Sequence, residues 1–218
     1  MAMQQATDFL EESKALAGLL AALSDLDFET QTQFKGWTIN NIIRHLHVWN
    51  IAVDLSLQDE AAFGAFVAAM MEGVRGGQLP AFEASYLDGL SGQALLQAWL
   101  ERTEAVAAAF AKADPKLRLK WVGPDMSALS SITARLMETW AHAQAVYDVL
   151  GVARQDTDRI GNIVRLGVNT WGFTWKNRRQ DPPGPMPQVH LTAPSGTIWE
   201  YGEVSDSGRI TGSATEFC

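Results

Sequence analysis

The chain has 218 residues, 47% hydrophobic and 19% charged, enough to bury a full core as one large domain or as one domain with a smaller partner. Its formal net charge of −8 and lack of any basic block set nucleic acid aside as a ligand, because phosphates would be repelled. Its single cysteine, Cys218, rules out an intramolecular disulfide and fits a reducing, cytoplasmic compartment.

Met1 to Asp8 lacks the basic start and apolar run of a signal peptide, and the longest apolar runs are interrupted, so no membrane span is expected. From Asp8 to about Phe28, Phe9, Leu10, Leu16, Leu19, Leu20 and Leu23 recur at helical spacing, which predicts a helix. Glu29 to Gly36 is polar and reads as a loop. A second helix follows to about Leu57, with Thr38 as N-cap and Trp37 placed to staple onto Ile42. Asp59 to Val74 predicts a third helix ending at Arg75-Gly-Gly77, and Leu79-Pro80 a turn. Ser91 is placed to cap a helix over Gly92 to about Ala113, closed by Asp114-Pro115. Trp121 to Ser127 forms a tight turn into a long helix that stops at Leu150-Gly151, where glycine suits the position past the last turn.

Four long amphipathic helices, with a long connection between the second and third, predict a mainly α protein built on a four-helix bundle. A helix from Asp158 to about Trp175 comes next, then a stiff Pro-rich linker over Gln180–Pro187. Strands are expected at Val189–Thr192, Thr197–Tyr201 and Arg209–Thr211. The boundary near 152–157 gives a bundle over 1–154 and a small α/β segment over 155–218.

The long helix carries Arg135-Leu-Met-Glu-Thr-Trp-Ala-His142. Glu138 and His142, four apart, stand above one another on one face and can share a divalent metal if another element brings a third ligand. His45 and His47 are two apart, roughly 200° around the helix axis, so they cannot both face it. His45 lies with Ile42, Val48, Trp49 and Ala52 on the apolar face, and His47 with Asn40, Arg44, Asn50 and Asp54 on a wetter one. His45, Glu138 and His142 thus form a two-His, one-carboxylate set, which leaves positions open for water or substrate. A hydrogen-bonded core histidine and a chance Glu/His spacing are the alternative. Arg135 is one turn away on the same side. Its planar fork suits a substrate carboxylate, or else it pairs with a surface acid. Ser127 and Ser131 lie further along this side. His190 reads as structural, and Cys218 has no neighbour that would activate it.

Gly36-Trp-Thr-Ile-Asn-Asn-Ile-Ile-Arg-His-Leu46 resembles the opening of the second helix in mycothiol-dependent maleylpyruvate isomerase-like proteins. These belong to the DinB-like superfamily of metal-binding four-helix bundles. Trp121 to Ala128, followed by Thr133-Ala-Arg-Leu-Met-Glu-Thr-Trp-Ala-His-Ala-Gln144, is similar to an uncharacterised subgroup of it. The family's metal ligands fall on His45, Glu138 and His142; Ala143 stands where the family has glycine. The resemblance implies a bacterial, zinc-dependent enzyme, although nickel serves elsewhere in the superfamily. It also implies a low-molecular-weight thiol such as mycothiol, and an electrophile or unsaturated acid held by Arg135, or by Arg178 and Arg179. Thiol-dependent isomerase and S-transferase remain equal readings, for a monomer or homodimer. The other readings are a non-catalytic metal- or small-molecule-binding stress protein and a purely structural bundle. Relatives continue past Glu216-Phe-Cys218, which implies a shortened C-terminal domain.

Overall fold

A computed structural model describes residues 3–76, 79–204 and 206–218. The chain divides into two compact units, 1–154 and 155–218. In the first, α1 (Gln4–Leu20), α2 (Ile39–Gln58), α5 (Gly92–Phe110) and α6 (Ala128–Leu150) form the bundle, with α1 and α2 each packed on both α5 and α6. Between α2 and α5 the chain forms α3 (Glu60–Gly73) and α4 (Leu79–Tyr86), which both pack on α2. Gly77 of the expected stop after α3 lies outside the described residues. A two-stranded ladder, β1 (Arg118–Leu119) against β2 (Met126–Ser127), leads into α6. Among the described residues no helix is long and apolar enough to cross a membrane.

Leu16, Leu20, Phe28, Ile39, Ile42, Ile43, Leu46, Leu95, Trp99 and Val146 fill the main core, with Trp37 packed against the same cluster as Ile42. A second cluster under α3 joins Val48, Ala52, Phe63, Phe66 and Met70, with Trp49 and Trp121 at its edge.

Local chemistry explains most helix ends. Thr38 accepts from the Asn41 backbone N–H, and the Asn41 side chain accepts in return from Thr38 N–H, closing a capping box at α2. Ser127 accepts from Ser130 N–H to cap α6, and Gly151 ends it at φ +66°. Three expectations fail. α1 begins at Gln4 and stops at Leu20, and beyond it Asp27 accepts from both Ser24 N–H and Ser24 Oγ–H, turning the chain before Phe28. Leu79-Pro80 opens a helix instead of a turn; Pro80 sits in the first turn, where a missing N–H costs nothing. Ser91 makes no side-chain cap on α5. The first amides of α5 are satisfied from afar: Gly92 N–H donates to Asn40 Oδ1 and Gln93 N–H to Asp25 Oδ1, both at 2.8 Å. Gly92 is left-handed, φ +60°, and a Cβ there would lie 2.2 Å from Asp25, so only glycine fits.

In the second unit the expected single helix divides at Thr170 into α7 (Gly161–Asn169) and α8 (Trp171–Asn177). There the Thr170 hydroxyl donates to the Gly167 carbonyl. A mixed sheet in the order β4-β3-β5 follows, from β3 (Gln188–Thr192), β4 (Ile198–Tyr201) and β5 (Arg209–Ser213). β3 pairs antiparallel with β4 and parallel with β5, burying Val189 and Leu191. A short α9 (Ala214–Phe217) carries its own capping box.

Candidate metal centre

α2 and α6 bring His45, Glu138 and His142 together: one ligand atom from each lies within 4.8 Å of the others. His142 Nε2 is 3.3 Å and His45 Nε2 3.7 Å from the same oxygen, Glu138 Oε2. Three ligands in a tetrahedral set at about 2.0–2.2 Å from one centre stand roughly 3.4 Å apart, so the spacing suits a divalent ion. Two imidazoles and a carboxylate are also a donor set that such ions accept. His45 is buried, while Glu138 is half-exposed, its side chain 35% accessible. The carboxylate faces an opening.

The other face of the His45 ring is held by a residue that the sequence reading missed. His45 Nδ1 lies 2.7 Å from Oε1 of Glu83, a fully buried carboxylate on α4, and Trp49 Nε1 donates to the same oxygen at 3.1 Å. A carboxylate at Nδ1 makes that nitrogen the proton donor. In the neutral ring the Nε2 lone pair then faces Glu138, another acceptor. Two acceptors facing each other call for a proton or a metal ion between them.

The electrostatics agree. The close approach of His142 and His45 to its Oε2, reinforced by the Arg135 charge, holds the Glu138 carboxyl well below the usual carboxylate range. Burial pulls the His45 pKa down, but the carboxylates of Glu138 and Glu83 outweigh this and leave it raised, so the same gap that suits a metal ion also favours a second proton on the ring.

Aromatic rings wall the site. Trp37 stacks on His142 with ring centres 5.9 Å apart, Phe34 meets it edge-on at 5.0 Å, and Trp49 lies 6.0 Å from His45. Phe34 comes from the polar stretch expected to be a plain loop, and Trp37 from the helix start that follows it. Left-handed Lys35 and Gly36 turn the stretch back on itself, and Thr32 N–H donates to the Trp37 carbonyl at 2.8 Å. A cavity of about 220 Å³ opens beside the triad, lined by His45, Trp49, Trp121, Arg135 and Glu138 among others.

Arg135 is 2% exposed, so pairing with a surface acid is excluded. Its Nε donates to Asn50 Oδ1 at 3.0 Å and Nη2 to the Leu46 carbonyl at 3.4 Å. Burial lowers its pKa to about 10, against the pull of Glu138 and Glu83, and it remains a cation at neutral pH. Ser127 is used as the α6 cap and Ser131 is buried; neither lines this cavity. Arg178 and Arg179 lie in the second unit at the end of α8.

The wetter side assigned to His47 is corrected. His47, Asn40 and Asn50 are all buried, because α2 is packed by α3, α4, α5 and α6 and retains little solvent face. Burial, helped by the Arg102 charge, pushes His47 down to about 4, so it is neutral at pH 7.

The family model described as "Mycothiol maleylpyruvate isomerase N-terminal domain" matches residues 9–147, a span that holds His45, Glu138 and His142. The chain belongs to this family. An uncharacterised protein of Mycobacterium tuberculosis, found in two strains, is 37% identical over 212 residues, covering 97% of this chain and 81% of the relative. A crystal structure of the mycothiol-dependent maleylpyruvate isomerase superposes with a TM-score of 0.56 at 17% identity, over 98% of this chain and 85% of that one. A structure of that enzyme's histidine-to-alanine mutant gives the same values. At this identity the likeness is one of fold. Glu83 of this family member was missed because Pro80 was read as a turn. Phe82 and Tyr86, four apart, were the helical signal available there.

Proposed function

We propose that this family member is a metal-dependent enzyme, with His45, Glu138 and His142 holding a divalent ion, zinc first. The observation that carries the reading is the cluster of ligand atoms, with His142 Nε2 at 3.3 Å and His45 Nε2 at 3.7 Å from one oxygen, Glu138 Oε2. When bound, the metal supplies Lewis acidity that lowers the pKa of a thiol or water at its open position.

The protein's own residues do the rest. Trp49 and Trp121 give the cavity apolar walls that keep water out and bury the carbon skeleton of a small ligand. Arg135 contributes a fixed positive charge in the same wall, which favours an anionic end such as a carboxylate. A cavity of about 220 Å³ holds the reacting groups of a small molecule. The reaction class that fits is addition of a low-molecular-weight thiol, such as mycothiol, to an electrophile or unsaturated acid, as a thiol-dependent isomerase or S-transferase. The family and the isomerase fold support this class.

The test has two stages. Metal analysis of protein loaded with zinc and then desalted is expected to give one equivalent for wild type and none for His45→Ala. Absence of stoichiometric metal in wild type overturns the reading. Thiol conjugation to monochlorobimane is then followed in loaded protein. Glu138→Gln is expected to lower the rate at least tenfold; an unchanged rate leaves a metal-binding protein without this chemistry.

A further inference from the structure

α4 carries a carboxylate where packing alone favours an apolar side chain. Glu83 is fully buried, on a helix with Phe82 and Tyr86, and among the described residues its Oε2 has no hydrogen-bond partner. Burying a carboxylate with one oxygen unsatisfied is costly, so its compensation has to be sought in what the other oxygen does. That oxygen, Oε1, meets His45 Nδ1 at 2.7 Å and is oriented by the Trp49 indole N–H at 3.1 Å. It lies behind the His45 ring and is not among the three clustered ligand atoms.

A neutral imidazole has one proton, and His45 stands between two carboxylates that compete for it. Glu83 is 2.7 Å from Nδ1, while Glu138 is 3.7 Å from Nε2. The nearer, better-oriented acceptor wins. We infer that Glu83 is a positioning residue of the metal centre: it fixes His45 as the Nδ1–H tautomer, so that the Nε2 lone pair is presented between Glu138 and His142. The inference rests on the metal reading proposed above and adds the residue that prepares a ligand for it. A carboxylate behind a ligating histidine fixes ring orientation and raises ligand basicity, and its loss costs 10–100-fold in metal affinity.

The test combines nitrogen NMR of the histidine rings with zinc titration against a chromophoric chelator, on the full chain. In metal-free wild type, at a pH where His45 is neutral, the expected spectrum has the His45 proton on Nδ1. In Glu83→Leu the proton is expected on Nε2, drawn there by Glu138. Glu83→Gln keeps an acceptor but removes the charge. Its zinc affinity is expected to fall about 10–100-fold, while the melting temperature of the metal-free protein stays equal or rises. A purely structural Glu83 gives the reverse: a lower melting temperature with affinity within twofold of wild type.

A His45 proton on Nε2 in wild type overturns the inference without any variant, even if Glu83→Leu does not fold. Zinc uptake by wild type with unchanged affinity in Glu83→Gln overturns the role of Glu83 alone. No zinc uptake by wild type overturns the metal reading, and this role with it.

Discussion

His45 and His47 are both buried, yet His45 has a carboxylate near each ring nitrogen, while among the described residues the buried His47 Nδ1 has no partner. Helical phase puts them on different faces, because a two-residue step always turns a side chain away, and His45 is the one that lies beside Glu138. The hydration of His47 was misread, since a sequence shows which residues share a face but not how many helices pack around it. Replacing His47 by Leu removes an unsatisfied buried nitrogen, and its stability is expected to stay level or rise by about 1 kcal/mol in urea denaturation. Zinc affinity should stay within about twofold, because His47 points away from the triad. A large loss of affinity in His47→Leu would mean the wrong histidine has been chosen. Cys218 offers a check by pH. Burial, with the Asp156 charge, raises its thiol to about 11, so at pH 8 nearly all of it is protonated and unreactive. Its alkylation by iodoacetamide is expected to be slow at pH 8 and to climb until pH passes about 11. A rate that saturates near the ordinary thiol pKa contradicts that placement.

At the scale of elements, α2 joins the site to the bundle through a chain of buried polar bonds. Asn50 on α2 donates to Thr103 on α5 and accepts from Arg135 on α6, each at 3.0 Å. Replacing Asn50 by Leu removes both bonds and leaves a buried guanidinium short of an acceptor. The expected loss is about 2–4 kcal/mol. Adding Arg135→Met should restore part of it, with a coupling of at least about 1 kcal/mol in a double-mutant cycle; simple additivity would show that the two do not depend on each other. This network was illegible in the sequence because its partners are 53 and 85 residues apart. The N-cap at Thr38 and the stop at Gly151 were legible because their chemistry lies within one turn. α4 falls between: Pro80 hid a helix that Phe82 and Tyr86 signalled, and Glu83 was lost with it.

For the whole molecule, every residue of the triad and its supports lies in the first unit. Arg154 is that unit's last residue. It pairs with Glu12 on α1, donates to the Trp140 carbonyl and packs over the Trp140 ring at 4.7 Å. Residues 1–154 expressed alone are therefore expected to give a cooperative helical melt by circular dichroism and to bind zinc as the full chain does. A fragment that folds but binds no zinc would show that the second unit contributes to the centre. The central claim, a metal held by α2 and α6, is tested most directly by anomalous diffraction at the zinc edge from crystals of the loaded protein. One peak is expected, about 2.0–2.2 Å from His45 Nε2, Glu138 and His142 Nε2. An empty triad, or zinc bound only elsewhere, would contradict it.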